Sequence, residues 1–193
     1  MIESYYQNCS LILPKIIASL KTTLNEQQIQ LTIKRLAHQV LENHLDFTDT
    51  VIIGLQPRGI FLSDKIAKEI QLNLPGQKIH YGLLDITFYR DDVRKEIKVP
   101  NKTAINFTIE NKKVILVDDV LYTGRTIRAA LDALIDFGRP ASVELCVLID
   151  RRFSRQLPIQ PDYTGKVVDD LVTQKVIVCW KEKDERTEVV ITE

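Results

Sequence analysis

Neither sign of charge is in excess. The 26 Lys and Arg residues are balanced by 26 Asp and Glu, so no global field draws the chain to nucleic acid, and any such contact must come from a local patch. Glycine is scarce. Gly54, Gly59, Gly76, Gly82, Gly124, Gly138 and Gly165 are the full set, and they fall in no arrangement that makes a dinucleotide fingerprint or a P-loop. The three cysteines, Cys9, Cys146 and Cys179, form no close pair. An odd count with two in expected strands points to a reducing compartment and ordinary buried thiols. His38, His44 and His80 lack ligand spacing and are expected at the surface or at helix ends rather than on a metal.

Long apolar runs are also missing. Leu11-Ile12-Leu13 and Ile16-Ile17 are separated by Pro14 and Lys15, far short of a membrane span. Glu3 and the lack of an early basic region argue against a secretory leader, so a cytoplasmic location is expected. With no internal repeat and no Gly/Ser-rich divider, 193 residues suit one domain able to bury a sizeable core. Residues 1–22 are read as an N-terminal extension that packs on the domain or on a partner, and 23–193 as the domain itself.

Alternating strand and helix patterns imply an α/β fold with a parallel sheet. Thr23-Leu24-Asn25-Glu26 reads as a capping box, followed by a helix with Ile29, Ile33, Leu36, Ala37, Val40 and Leu41 on one face. Val51-Ile52-Ile53-Gly54 is the first buried strand. A turn with Arg58 and Gly59 leads to a helix carrying Ile60, Ile66, Ala67 and Ile70, and residues 79–90 read as extended. Residues 143–149 form a further strand, and 175–180 with 187–191 flank a charged turn as a hairpin.

The most informative stretch is 114–126, VILVDDVLYTGRT. Its four leading apolar residues are too few for a helix and β-branched enough for a strand buried on both faces. Asp118 and Asp119 then lie at the strand's C-terminal end. Ile127, Ala130, Leu131, Leu134 and Ile135 recur at helical spacing until Gly138 stops the helix before Arg139-Pro140. In a strand-loop-helix unit ligands bind where strands end, and the loop Thr123-Gly124-Arg125-Thr126 leaves backbone N–H groups unpaired at a helix N-terminus. Gly124 would let the backbone approach an anion, Thr123 and Thr126 add hydroxyls, and the helix dipole supplies about half a positive charge. Two adjacent carboxylates repel phosphate but accept hydrogen bonds from vicinal hydroxyls. A ribose 5-phosphate offers both groups.

At this point the residues carry a resemblance. Residues 114–126, with Ala129-Ala130-Leu131-Asp132-Ala133-Leu134 after them, resemble the 5-phosphoribosyl 1-diphosphate (PRPP) binding motif of type I phosphoribosyltransferases. They look most like the branch that combines uracil phosphoribosyltransferase activity with attenuation of pyrimidine operons. Gln56-Pro57-Arg58-Gly59-Ile60, Asp85-Ile86-Thr87-Phe88-Tyr89-Arg90-Asp91-Asp92, and Leu157-Pro158-Ile159 with Asp162-Tyr163-Thr164-Gly165-Lys166 agree with it, over roughly 23–193. The resemblance implies a Rossmann-like parallel sheet with flanking helices, a flexible loop and a C-terminal hairpin. It implies conversion of uracil and PRPP to UMP and pyrophosphate, with Mg²⁺ carried on PRPP and no protein ligand to the metal assigned.

The same resemblance distributes the roles. PRPP would be bound by Arg58, Gly59, Asp118, Asp119, Val120, Leu121, Tyr122, Thr123, Gly124, Arg125 and Thr126. Asp118 and Asp119 hold the ribose, Arg58 meets the pyrophosphate, and Arg90, at the start of a closing loop, reaches the same leaving group. Arg151 and the backbone at Val176 would lie near nucleotide or base. That branch typically reads Asp-Arg-Gly-His-Arg-Glu-Leu-Pro-Ile-Arg, where this chain has Asp150-Arg151-Arg152-Phe153-Ser154-Arg155-Gln156-Leu157-Pro158-Ile159-Gln160. One residue is inserted, the His is gone and Gln160 replaces an arginine, so Arg152, Arg155 and Lys166 are left as the cations for an mRNA leader. A homo-oligomer is expected. Two alternatives stay open: a nucleotide-sensing RNA-binding attenuator without catalysis, and a phosphoribosyltransferase for another base.

Overall fold

The computed structural model describes residues 20–90, 100–169 and 174–192. Five strands form one parallel sheet: β2 (Thr50–Leu55), β3 (His80–Leu84), β4 (Lys113–Leu121), β5 (Ser142–Arg151) and β6 (Tyr163–Val168), in the order β3-β2-β4-β5-β6. A second sheet sets β1 (Leu20–Leu24) beside β8 (Glu188–Thr192) and β7 (Lys175–Cys179), antiparallel throughout. The helices are α1 (Glu26–Asn43), α2 (Gly59–Asn73), α3 (Arg125–Leu134) and the single turn α4 (Lys181–Asp184). Among the described residues no helix is long and apolar enough to cross a membrane.

The central strands are apolar on both faces because both faces are covered. All six residues of β2 are buried. One face packs under α1 and α2, with Ile29, Leu36, Ile66 and Trp180 in the shared core. The other face packs under α3 through Ile127, Ala129, Ala130 and Ala133. This differs from the expected helix stripe. Leu131 and Ile135 are exposed, and the alanines face the strands, because a helix lying close on a sheet selects small side chains at its contact line.

Other elements also shift. The cap of α1 is Asn25, whose side chain accepts from Gln28 N–H while the Gln28 side chain accepts from Asn25 N–H, both at 2.9 Å; the box sits two residues beyond Thr23. β1 crosses the expected boundary at residue 22, pairing Leu20, Lys21 and Thr22 with Thr192, Ile191 and Val190. β6 was not expected as a strand. Cys146 is a free buried thiol, with burial pushing its pKa up to about 12, whereas Cys179 is not a free thiol. His44 ends α1 and is buried, bonded to Glu144 at 2.8 Å and Thr50 at 3.1 Å.

Strand order fixes where a ligand can sit. From β2 the chain runs through α2 to β3 on one side, then returns to lay β4 on the other side of β2. The crevice past the C-terminal ends of β2 and β4 is therefore a topological switch point, the place where open α/β sheets bind ligands.

Candidate active site

Two chain segments wall this crevice. The first is the turn Gln56-Pro57-Arg58, whose Gln56–Pro57 bond is cis, with the start of α2. Gly59 is required there by close approach: a Cβ would lie 2.7 Å from the Val117 carbonyl oxygen and 3.0 Å from Asp118 Oδ1. The second is the end of β4 with its loop. Pairing to β2 stops at Val117, but pairing to β5 continues to Leu121 opposite Asp150. Asp118 and Asp119 are thus inside the strand on one side and at its open end on the other.

The loop after β4 turns sharply at Gly124, whose φ of +91° lies in the left-handed region that a side chain resists. A Cβ there would meet Ile159 at 3.2 Å and Leu157 at 3.3 Å. The glycine therefore serves the turn and the packing behind it, rather than opening a path for an anion from in front. Neither α2 nor α3 is capped by the side chain of its N-cap residue, Arg58 or Gly124, while α1 is fully capped. Two helix N-termini with N–H donors thus border the crevice.

The electrostatics of the carboxylate pair follow from burial. Desolvation pushes Asp118 well above the ordinary value of 3.8, the Asp119 charge adds to the rise, and the Asp119 N–H and the Arg90 charge oppose it. Asp119 is raised by burial too, with the Arg58 charge pulling it back. Because the folded state binds this proton more tightly than the unfolded chain, ionised Asp118 destabilises the fold; that cost shrinks as pH falls below its folded pKa and is gone only below the ordinary value of 3.8. Asp118→Asn is therefore expected to be more stable than wild type at pH 8, with the gap closing as pH is lowered. Urea midpoints of both proteins across pH check this, and a gap that does not depend on pH would contradict it.

Several expected site residues do meet here. Arg90 Nη1 reaches Thr126 Oγ1 at 3.4 Å and its charge acts on Asp118. Asp91 and Asp92 lie outside the described residues. Val120 and Leu121 turn their side chains into the two cores, so only their backbone can face a ligand. The Arg151 guanidinium lies 4.0 Å from the centre of the Tyr122 ring and donates to the Gln174 carbonyl at 2.9 Å, wholly buried behind the loop. Val176 is a buried member of β7, opposite Ile191.

The structure differs from expectation at the basic residues. Arg58 is a buried fork closed on Asp184, with contacts of 2.8 and 3.1 Å, and it also donates to the Val178 carbonyl at 2.8 Å. Its guanidinium ties the C-terminal hairpin to the crevice instead of standing open to a diphosphate. Arg152 pairs with Asp169 at 2.9 Å on the surface, and Lys166 donates to the Thr23 carbonyl at 3.1 Å. Arg155 turns inward, onto Asp150 and the Tyr122 carbonyl. Asp184 was hidden in a charged turn that reads as solvated, and its partner is 126 residues away. An open cleft of about 490 Å³ lies beside this region, lined by Asp150, Arg152, Arg155, Ile159, Gln160 and Thr164 among others.

A family model described as phosphoribosyl transferase domain matches residues 19–183. A bifunctional protein PyrR from Picosynechococcus sp. is 46% identical over 167 residues, covering 86% of this chain and 93% of the relative. Another from Thermoanaerobacter sp. is 45% identical over 172 residues, covering 88% and 96%. Among solved structures, a hypoxanthine phosphoribosyltransferase from Staphylococcus aureus superposes with a TM-score of 0.67 at 22% identity, covering 89% of this chain and 91% of that one. At that identity the likeness is one of fold.

Proposed function

This chain belongs to the phosphoribosyl transferase family and, within it, to the PyrR proteins, and from that premise we propose that it converts uracil and PRPP to UMP and pyrophosphate. The bond from the anomeric carbon to the pyrophosphate oxygen breaks, a bond to uracil N1 forms, and the N1 proton leaves to solvent. The observation that carries this reading is the crevice itself: a buried carboxylate, Asp118, and a half-buried one, Asp119, between two helix N-termini that their N-cap side chains leave uncapped. Asp118 and Asp119 accept from the ribose hydroxyls and offset positive charge developing on the ring, while the N–H groups of 123–126 hold the 5-phosphate. The pyrophosphate meets the N-terminus of α2 and Arg90, whose approach lies on the same rim. Uracil as the base rests on the likeness of segments 56–60, 114–134 and 157–166 to the uracil-using branch.

Among the described residues no group of three or more His, Cys, Asp or Glu side chains gathers to hold a metal. Two adjacent carboxylates nevertheless fit a hard cation that takes its remaining oxygens from substrate and water. Mg²⁺ entering with PRPP would neutralise charge on the departing pyrophosphate.

Regulation belongs to the same proposal, with UMP-dependent binding to an mRNA leader, as do a cytoplasmic location and a homo-oligomeric state. Arg152 and Lys166 are the surface cations for RNA, and both are engaged with protein groups. Gln160 adds no charge, so the RNA affinity is expected to be weaker than that of a PyrR with arginine there.

PRPP-dependent turnover across uracil, orotate, hypoxanthine and adenine tests the catalytic half, and a salt series of leader-RNA binding with UMP tests the other. Turnover with uracil alone supports the reading. Turnover with a purine but not uracil, or with no base at all, overturns it.

A further inference from the structure

We propose that Arg155 is a positioning residue for the phosphate loop, acting through residues 122–124 and not touching substrate itself. The proposal rests on the reading that residues 123–126 hold the 5-phosphate of PRPP. Several contacts from residues 155–159 converge on that loop from behind. The Arg155 guanidinium donates to the Tyr122 carbonyl at 2.5 Å with one nitrogen and to the Asp150 carboxylate with another. The next two backbone N–H groups, of Gln156 and Leu157, both donate to the Thr123 carbonyl, at 3.0 and 3.2 Å. Arg125 Nε, at the first position of α3, donates to Gln156 Oε1 at 2.9 Å. Leu157 and Ile159 fill the space beside Gly124.

The consequence is geometric. An anion cradle made of backbone N–H groups works only if the peptide planes are already turned toward the ligand, and the planes here are fixed by what their carbonyls do on the opposite side. Tyr122 and Thr123 have their carbonyls drawn toward 155–157, which turns the following N–H groups toward the crevice. Arg155 is suited to this because one planar fork can span a carbonyl and a carboxylate together, where a lysine ammonium reaches only one well. Asp150 anchors the fork to the sheet, being the residue paired with Leu121 at the end of β4. The side chains of Arg155 and Asp150 are only 17% and 10% exposed, so water competes weakly for the contacts.

The test is calorimetric binding of ribose 5-phosphate and of PRPP with Mg²⁺, which needs no base and no turnover. Arg155→Ala is expected to bind both about tenfold more weakly or worse, the scale of a lost charge-assisted hydrogen bond, with KM for uracil at saturating PRPP unchanged. Arg155→Lys recovers part of the affinity, and free guanidinium ion, well below unfolding concentrations, restores binding to Arg155→Ala but not to wild type. Gln156→Ala, which removes only the Arg125 contact, weakens binding less and serves if Arg155→Ala does not fold. Wild-type affinity in folded Arg155→Ala, with wild type binding PRPP, overturns this inference alone. Failure of wild type to bind PRPP or ribose 5-phosphate overturns the proposed function and this inference with it.

Discussion

Asp118→Asn combined with Asp119→Asn is expected to yield a folded protein whose PRPP-dependent turnover is lower by about a hundredfold or more. The fold should survive because amides fill the same space, the Asp119 N–H keeps an oxygen acceptor at position 118 in place of the present 2.9 Å bond, and burial already works against the ionised forms. Activity should not survive, because an amide offers a weaker, neutral acceptor to hydroxyls on a ring that gains positive charge as pyrophosphate departs. Circular dichroism with a radiometric assay of UMP formation checks both halves. A folded double variant with wild-type rates would show that the pair does not hold the ribose.

The second large effect concerns stability. Asp184→Ala is expected to cost about 3–5 kcal/mol, the range for removing one partner of a buried ion pair. Asp184 has a wholly buried side chain and accepts from Arg58 twice and from the Trp180 N–H at 3.0 Å. Its loss strands a buried guanidinium beside the crevice. Replacing both members, Arg58→Met with Asp184→Leu, should recover part of that stability, since the double variant no longer buries an unpaired charge, although the Trp180 N–H and the Val178 carbonyl lose a partner. Urea unfolding of the single and double variants measures this. A cost below about 1 kcal/mol, the scale of exposed pairs, would show that the pair is solvated.

Asp118 and Asp184 differ in how far the sequence discloses them. The strand at 114–117 and its carboxylates were legible because β-branched residues without alternation mean burial on both faces, and the crevice followed from strand-loop-helix order. The extension of β4 to Leu121 was not legible, because it depends on pairing with β5, which lies downstream. Ile127, Ala130 and Leu134 on the buried side of α3 are legible from their spacing, but hydropathy also favours the exposed Leu131 and Ile135, where close approach to the sheet favours Ala129 and Ala133. Cationic residues were legible as charges but not as partners. Arg58 meets Asp184 across the whole fold, and Arg155 is drawn inward by a carboxylate five residues earlier. Residues 20–22 of β1 read as part of an extension because the partner strand β8 lies at the other end of the sequence.

If the rim formed by residues 118–126 is the PRPP site, a crystal structure of the protein with PRPP and Mg²⁺ will show the ligand seated there. The 5-phosphate is expected within hydrogen-bond reach of the backbone N–H groups of 123–126, and the ribose hydroxyls on Asp118 and Asp119. PRPP seated instead in the cleft beside Arg152, Gln160 and Thr164, with both carboxylates out of reach, would contradict it.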